Sequence, residues 1–159
     1  MFRVHASDRA VALSEQLIRA HRTLRERLAS VREEVAGGTA RPAVPGDLLS
    51  HCLSFCTAIQ AHHAGEDSHL FPALRAAAPE LAPMIGKLME DHALVVGILQ
   101  QVRALLAADR PPAAPGTLLR ELDGLTAILE SHFSFEERRI AASLDALGPG
   151  AWTPGIFAP

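Results

Sequence analysis

The chain is poor in lysine and cysteine and contains no long apolar run. Its 159 residues carry a net charge of −3, with Lys87 as the single lysine. A nucleic-acid groove needs clustered basic residues, so this balance argues against one. The arginines alternate with acids, as in FEERRI, a pattern typical of solvated helix faces.

Cys52 and Cys56 are the only cysteines, and a spacing of four on one helix places them about 6 Å apart. Two cysteines provide no disulfide framework, so we expect small buried side chains and a reducing cytoplasm. No segment approaches the run of about 18 apolar residues that spans a membrane, and the first residues lack a signal-peptide core. These absences predict a cytoplasmic protein without a membrane partner.

Strand-like alternation is also missing, and glycine and proline divide the chain into four long pieces with helical apolar spacing. We predict helices over roughly 8–36, 47–78, 80–108 and 117–147. Such pieces with short links favour an all-α fold, an up-down-up-down four-helix bundle. The predicted domain covers 1–147, followed by a Pro/Gly-rich tail at 148–159.

An internal repeat relates the two halves of the chain. LIRAHRTLRERL (17–28) aligns with LMEDHALVVGIL (88–99), and HHAGEDSHLFPAL (62–74) aligns with HFSFEERRIAASL (132–144). The repeat predicts two duplicated helical hairpins related by a pseudo-two-fold axis.

The repeat also aligns six ligand-type residues. Each predicted helix supplies one histidine, and the second and fourth add a glutamate one turn later: His21, His62, Glu66, His92, His132 and Glu136. At roughly 100° per residue, all six share the apolar stripes. Because unpaired buried charges are costly, they need either a hydrogen-bonded protein network or a metal, and the repetition favours metal.

The donor types narrow the choice of metal. Imidazole and carboxylate suit iron, zinc, manganese or copper. Two carboxylates from facing helices, with histidines on either side, describe a dinuclear centre better than one tetrahedral zinc. Two iron ions are the best fit, with zinc or manganese as substitutes.

The pattern H…HxxxE(D/E)xxLFP…H…HxxxEE resembles the hemerythrin-like HHE cation-binding family over roughly residues 5–147. The resemblance implies a four-helix bundle around a non-haem di-iron centre, bridged by carboxylates and an oxo or hydroxo group. By position it gives the ligand roles to His21, His62, Glu66, His92, His132 and Glu136.

Two departures separate this chain from the oxygen-carrying hemerythrins, so it is more similar to the broader bacterial group. Those proteins have two histidines one turn apart on the third helix, where this chain has Leu88 and Val96 around His92. Their second bridging acid is typically an Asp five residues after its histidine. Here Glu136 comes four residues after His132, and Glu137 is next to it.

Four other polar residues flank the six. His63 fits equally well a fifth nitrogen ligand or a buried histidine that donates to a neighbour. Asp67 and Glu137 occupy matching positions, and we expect them outside the ligand set, on the outer face or beside a ligand. His69 gives a ferritin-type Glu-x-x-His element with Glu66. The second hairpin lacks the matching element, which favours an ordinary edge histidine over a partner of the centre.

The expected function is to bind or sense O₂, NO or peroxide, with weak catalase-like activity as an extension. Leu88, Val96, Leu129 and Phe133 are expected to keep the pocket apolar, which favours gas binding over hydrolysis. No nucleophile–base pair, phosphate loop or nicotinamide fingerprint occurs in the sequence, and whether the protein is an enzyme stays open. The alternatives are a metal-free or zinc-holding interaction module and ferritin-like iron oxidation and storage. Oligomeric state, redox partner and the role of the tail also stay open.

Overall fold

The computed structural model describes residues 12–38, 46–107 and 114–147, which are helical apart from short links and contain no strand. The helices are α1 (Leu13–Gly37), α2 (Gly46–Gly65), α3 (Phe71–Ala77), α4 (Ala82–Leu105) and α5 (Pro115–Ala146). Helices α1 and α4 each pack against both α2 and α5, which closes a helical bundle. The all-helical prediction is confirmed, whereas the up-down-up-down order and the duplication stay predictions.

The start of α1 is held by the end of α5. No side chain caps α1 at Ala12, but the Asp145 carboxylate accepts hydrogen bonds from the backbone N–H of Ser14 at 3.0 Å and from its hydroxyl at 2.8 Å. These bonds satisfy a donor in the first turn that has no partner within the helix. Further along, Arg25 bonds to Glu130, so α1 and α5 run antiparallel where they meet.

The second predicted helix is interrupted by a π-helical turn at Glu66–Leu70, which the sequence reading did not anticipate. Within this turn the Phe71 N–H donates to the Glu66 carbonyl, five residues back. Pro72 follows directly; it has no N–H, and its ring would clash with the carbonyl of Ser68 in a regular helix. The π turn thus relieves the proline and lies at the first glutamate of the constellation.

Two apolar clusters fill the bundle on either side of one polar layer. One cluster contains Leu24, Ile59, Val95 and Leu129, and the other contains Leu17, Leu70, Leu88 and Ile140, all buried. On each of the four long helical segments, the polar residues stand between a stretch that belongs to one cluster and a stretch that belongs to the other. The sequence therefore places a polar layer across the middle of an otherwise apolar core.

The predicted domain limits are not tested by the fold. The tail at 148–159 and the first eleven residues lie outside the described part of the chain. Among the described helices, none is both long and apolar enough to cross a membrane.

Candidate metal centre

The polar layer is made of seven side chains, each at most 3% exposed. They are the six aligned residues together with His63: His21, His62, His63, Glu66, His92, His132 and Glu136. Helix α1 contributes one of them, α2 with its π turn three, α4 one and α5 two. The structure therefore brings together every residue that the sequence proposed as a ligand.

The seven side chains divide into two groups that share Glu66. In the first, here called the His92 group, one ligand atom from each of His63, Glu66, His92 and His132 lies within 4.8 Å of the others. In the second, the His21 group, the same is true of His21, His62 and Glu66. Two neighbouring positions for a cation therefore exist with one carboxylate in common.

The two carboxylates lie between the groups. Glu66 Oε1 is 2.9 Å from His62 Nε2, and Oε2 is 3.2 Å from His92 Nε2, so the two oxygens face different groups. Glu136 Oε2 is 3.4 Å from His21 Nε2 and 3.6 Å from His132 Nε2. Each glutamate thus reaches histidines of both groups.

Polar atoms in the layer lack partners, although they are buried. None of the four oxygens of Glu66 and Glu136 has a hydrogen bond, although imidazole nitrogens lie nearby. His63 Nε2 and His62 Nδ1 are equally unpartnered. Buried groups of this kind are rare in folded proteins without a bound ion or water. This donor set fits divalent or trivalent cations that take nitrogen and oxygen ligands.

Three carboxylates outside the layer hold imidazole rings through Nδ1, the nitrogen that faces away from the layer. His21 Nδ1 donates to Glu137 at 2.9 Å, His92 Nδ1 to Asp67 at 2.7 Å, and His132 Nδ1 to Asp91 at 3.1 Å. Protonation at Nδ1 leaves the Nε2 lone pair free to face the layer, which is the arrangement used by metal-binding histidines. Asp67 and Glu137 were expected outside the ligand set, on the outer face or beside a ligand, and each contacts a histidine of the layer.

Asp91 was missed by sequence reasoning. Its counterpart in the repeat is Ala20, so the alignment carries no signal for it. The only available signal was its place next to His92 on the same helix.

The Nε2 atoms of the histidines converge in pairs. His21 Nε2 lies 3.1 Å from His62 Nε2, and His92 Nε2 lies 3.1 Å from His132 Nε2. Two lone pairs at this distance repel each other unless a proton or a cation lies between them. The pairs therefore point to one positive charge in each group.

Ring stacking holds His21 and His92 in place. His92 lies between His63, with centroids 3.8 Å apart and planes at 12°, and Phe71, with centroids 5.6 Å apart and planes at 18°. His21 stacks on Phe133 with centroids 4.0 Å apart and planes at 15°. His63 and Phe133 occupy matching positions in the repeat, so one residue offers a nitrogen where the other offers only a ring.

The pKa values of the two carboxylates in the layer are shifted in opposite directions. Burial raises the pKa of Glu136 to about 8, and the charge of Glu66 adds to this effect. Burial alone would raise the pKa of Glu66 as well, but the neighbouring histidines outweigh it and hold that pKa well below 4.5. Because two like charges in one buried site repel, one glutamate stays ionised and the other takes up a proton.

The histidines also divide into proton acceptors and neutral rings. Burial lowers the pKa of His21, but the nearby carboxylates of Glu136, Glu137 and Glu66 outweigh burial and raise it to about 10. Burial and the charge of His92 lower the pKa of His132 to about 4, and burial lowers that of His63 far below 6.5. A neutral imidazole is the form that binds metal, so His63 and His132 need lose no proton to do so.

Of the other flanking residues, His69 agrees with the favoured reading as an edge histidine, and Val96 needs correction. His69 is exposed on the outside of the π turn, so it is an edge histidine and no partner of the centre. Val96 was expected to line the pocket, but its side chain is 38% exposed because it faces outward from α4. Leu88, Leu129 and Phe133 are buried as expected.

Comparison with protein families gives a match over residues 12–144 to the hemerythrin HHE cation-binding domain. Comparison with curated proteins and with solved structures gives no match. The match covers most of the chain and every residue of the polar layer. The chain belongs to the hemerythrin HHE cation-binding family.

Proposed function

We propose that the polar layer holds two iron ions and that the loaded protein binds or senses O₂, NO or peroxide. His63, His92 and His132 would hold one ion, His21 and His62 would hold the other, and both glutamates would be shared. The observation that carries the proposal is the set of buried, unpartnered donor atoms arranged in two groups around Glu66.

The number of donors leaves room for an exogenous ligand. Five imidazole nitrogens and four carboxylate oxygens amount to nine donors, whereas two ions with about six ligands each need about twelve. Iron in such a centre supplies reversible electron transfer and open positions for a small molecule. These open positions are the reason to propose a small ligand and not a purely structural metal.

The chain's own residues exclude water and set proton positions. The apolar clusters on both sides of the layer, with Leu88 in one and Leu129 in the other, bar bulk solvent from it. Asp67, Asp91 and Glu137 hold their histidines with Nε2 toward the ions. An apolar enclosure of this kind favours binding of a gas or peroxide over hydrolytic chemistry.

The alternative functions have less support. A metal-free module would need partners for six buried atoms that have none among the described residues. Ferritin-like oxidation and storage would use His69, which is exposed, and a matching histidine where the chain has the exposed Arg139. Zinc or manganese remain substitutes that the same donors accept. We further propose a cytoplasmic location, and we expect no nucleic-acid partner.

Iron analysis combined with spectroscopy tests the proposal. Protein produced in iron-rich medium is expected to contain about two iron atoms per chain and to absorb in the near ultraviolet. Adding NO or peroxide should change this spectrum, and weak peroxide turnover would extend the function to catalase-like activity. Less than half an equivalent of iron would contradict the proposal.

A further inference from the structure

Arg25 of α1 connects to the metal centre by two separate routes. Its guanidinium donates to Glu130 Oε2 and to Glu137 Oε1, each at 2.9 Å. It also lies over the ring of Phe133, 5.2 Å from the centroid. The side chain is 28% exposed, so it stands between solvent and the polar layer.

Both routes end at the same imidazole. The oxygen of Glu137 that accepts from Arg25 also accepts from His21 Nδ1 at 2.9 Å. Phe133, under the guanidinium, stacks on the His21 ring with centroids 4.0 Å apart. Arg25 therefore fixes the carboxylate that binds the edge of His21 and the ring that covers its face. Its fork of N–H groups matches two carboxylates at once, which a lysine cannot reproduce.

We propose that Arg25 is a positioning residue that aims His21 Nε2 at one of the two metal positions, an inference that depends on the proposed function. The sequence reading placed the arginines on solvated helix faces, and this one instead orders a buried histidine. Arg25 acts through Glu137 and Phe133, neither of which is a proposed ligand.

In the described part of the chain, only the His21 group has an arginine bonded to the carboxylate behind a histidine. Among the described residues, no arginine is bonded to Asp67 or Asp91, the carboxylates behind His92 and His132. The residue that matches Arg25 in the repeat is the partly exposed Val96. Removing Arg25 is therefore expected to weaken one metal position and to leave the other unchanged.

Arg32 provides a matched control. It lies seven residues further along α1 and bonds to Asp123, seven residues before Glu130 on α5, so the two arginines make equivalent contacts along one helix pair. Its carboxylate partner binds no histidine among the described residues. Arg32→Gln thus removes the same kind of contact between α1 and α5 without touching the support of His21.

The test titrates metal-free protein with Co(II) and compares wild type, Arg25→Gln, Arg25→Lys and Arg32→Gln. For Arg25→Gln we expect Co(II) to bind about tenfold more weakly at one of the two positions. This is the lower end of the loss in metal affinity that follows removal of a hydrogen-bond partner of a metal ligand. Arg25→Lys should fall between wild type and Arg25→Gln, and Arg32→Gln should match wild type. Nitrogen-15 NMR of the metal-free protein should show a weaker hydrogen bond from His21 Nδ1 to Glu137 in Arg25→Gln.

The outcomes separate the two proposals. Wild type that binds less than half an equivalent of metal overturns the proposed function, and this inference with it. If wild type binds two equivalents, and Arg25→Gln keeps both affinities and the Nδ1 hydrogen bond of His21 unchanged, this inference alone is overturned. An equal loss in Arg32→Gln overturns it too.

Discussion

The imidazole of His63 lies parallel to that of His92, with centroids 3.8 Å apart, and His63 Nε2 is buried without a partner. The stacking alone would be served as well by phenylalanine, which occupies the matching position 133. A histidine there adds a nitrogen to the side of the layer that already has His92 and His132. We therefore interpret His63 as a fifth nitrogen ligand and not as a donor to a neighbour.

Replacing His63 with phenylalanine tests this interpretation. His63→Phe keeps a ring against His92 but removes the nitrogen, so the affinity for one ion should fall about 10- to 100-fold while the second ion stays bound. Iron content after dialysis against a weak chelator measures the loss. The exposed His69 serves as the control, and His69→Phe should keep two irons. Two firmly bound irons in His63→Phe would show that His63 is no ligand.

Glu66 and Glu136 should differ in how much metal their loss releases. Glu66 belongs to both groups, so Glu66→Ala is expected to leave less than half an iron per chain. Glu136 lies slightly further from its histidines, at 3.4 and 3.6 Å, so Glu136→Ala should retain more iron than Glu66→Ala. Metal analysis of the purified variants measures both. If the two variants each keep two irons, neither glutamate bridges the ions.

The sequence predicted the helices and the buried layer because both follow from one periodicity. A histidine such as His92 lies on the stripe of Leu88 and Leu99, so its burial could be derived from spacing alone. The burial of the two glutamates was derived in the same way, because each lies one turn after a buried histidine, His62 or His132. The spacing of residues tells which face of a helix each one occupies, and this was enough to predict which residues are buried.

Contacts between helices could not be predicted in the same way. Asp91 reaches His132, and Arg25 reaches Glu137, only because of how α4 and α1 pack against α5. The periodicity of one helix contains no information about that packing. The π turn was missed for a local reason: Pro72 predicts a disturbance of the helix, but not that the helix accommodates it by a wider turn.

Removing the metal should lower the thermal stability of the protein. Ions that bind the folded state at about 100 times their dissociation constant stabilise it by about 2.7 kcal/mol, which corresponds to a rise in Tm of about 5–10 °C for a chain of this size. Chelated wild type should therefore unfold at a correspondingly lower temperature by circular dichroism. Glu66→Ala, which is expected to bind little metal, is the control, and chelation should not move its Tm. An unchanged wild-type Tm would argue for a metal-free layer.

The metal-free protein should lose stability as the pH rises from 7 to 9. The pKa of Glu136 is raised from 4.5 to about 8, and that of His21 from 6.5 to about 10. In each case the folded state keeps a proton that the unfolded chain has released. The stability that Glu136 and His21 contribute is fully present below their pKa values in the unfolded chain. It is lost as the pH rises through their pKa values in the folded protein.

His132 and His63, whose pKa values are lowered, are neutral in both states above pH 7 and leave this trend unchanged. The free energy of unfolding should therefore fall by about 2 kcal/mol per pH unit within this window. Urea unfolding of chelated protein at pH 7, 8 and 9 measures the slope. Glu136→Gln, which cannot titrate, should show a shallower fall, and a wild-type curve that is flat or rises would contradict the assignment.

Metal binding should show the opposite dependence on pH. Cations displace the protons of Glu136 and His21 on binding, so the apparent affinity for metal rises as these protons become easier to remove. Co(II) titrations at the same three pH values should show tighter binding at pH 8 than at pH 7, with protons released into a weakly buffered solution. Glu136→Gln should release fewer protons than wild type at pH 7. Equal proton release by the two proteins would mean that Glu136 carries no proton in the metal-free layer.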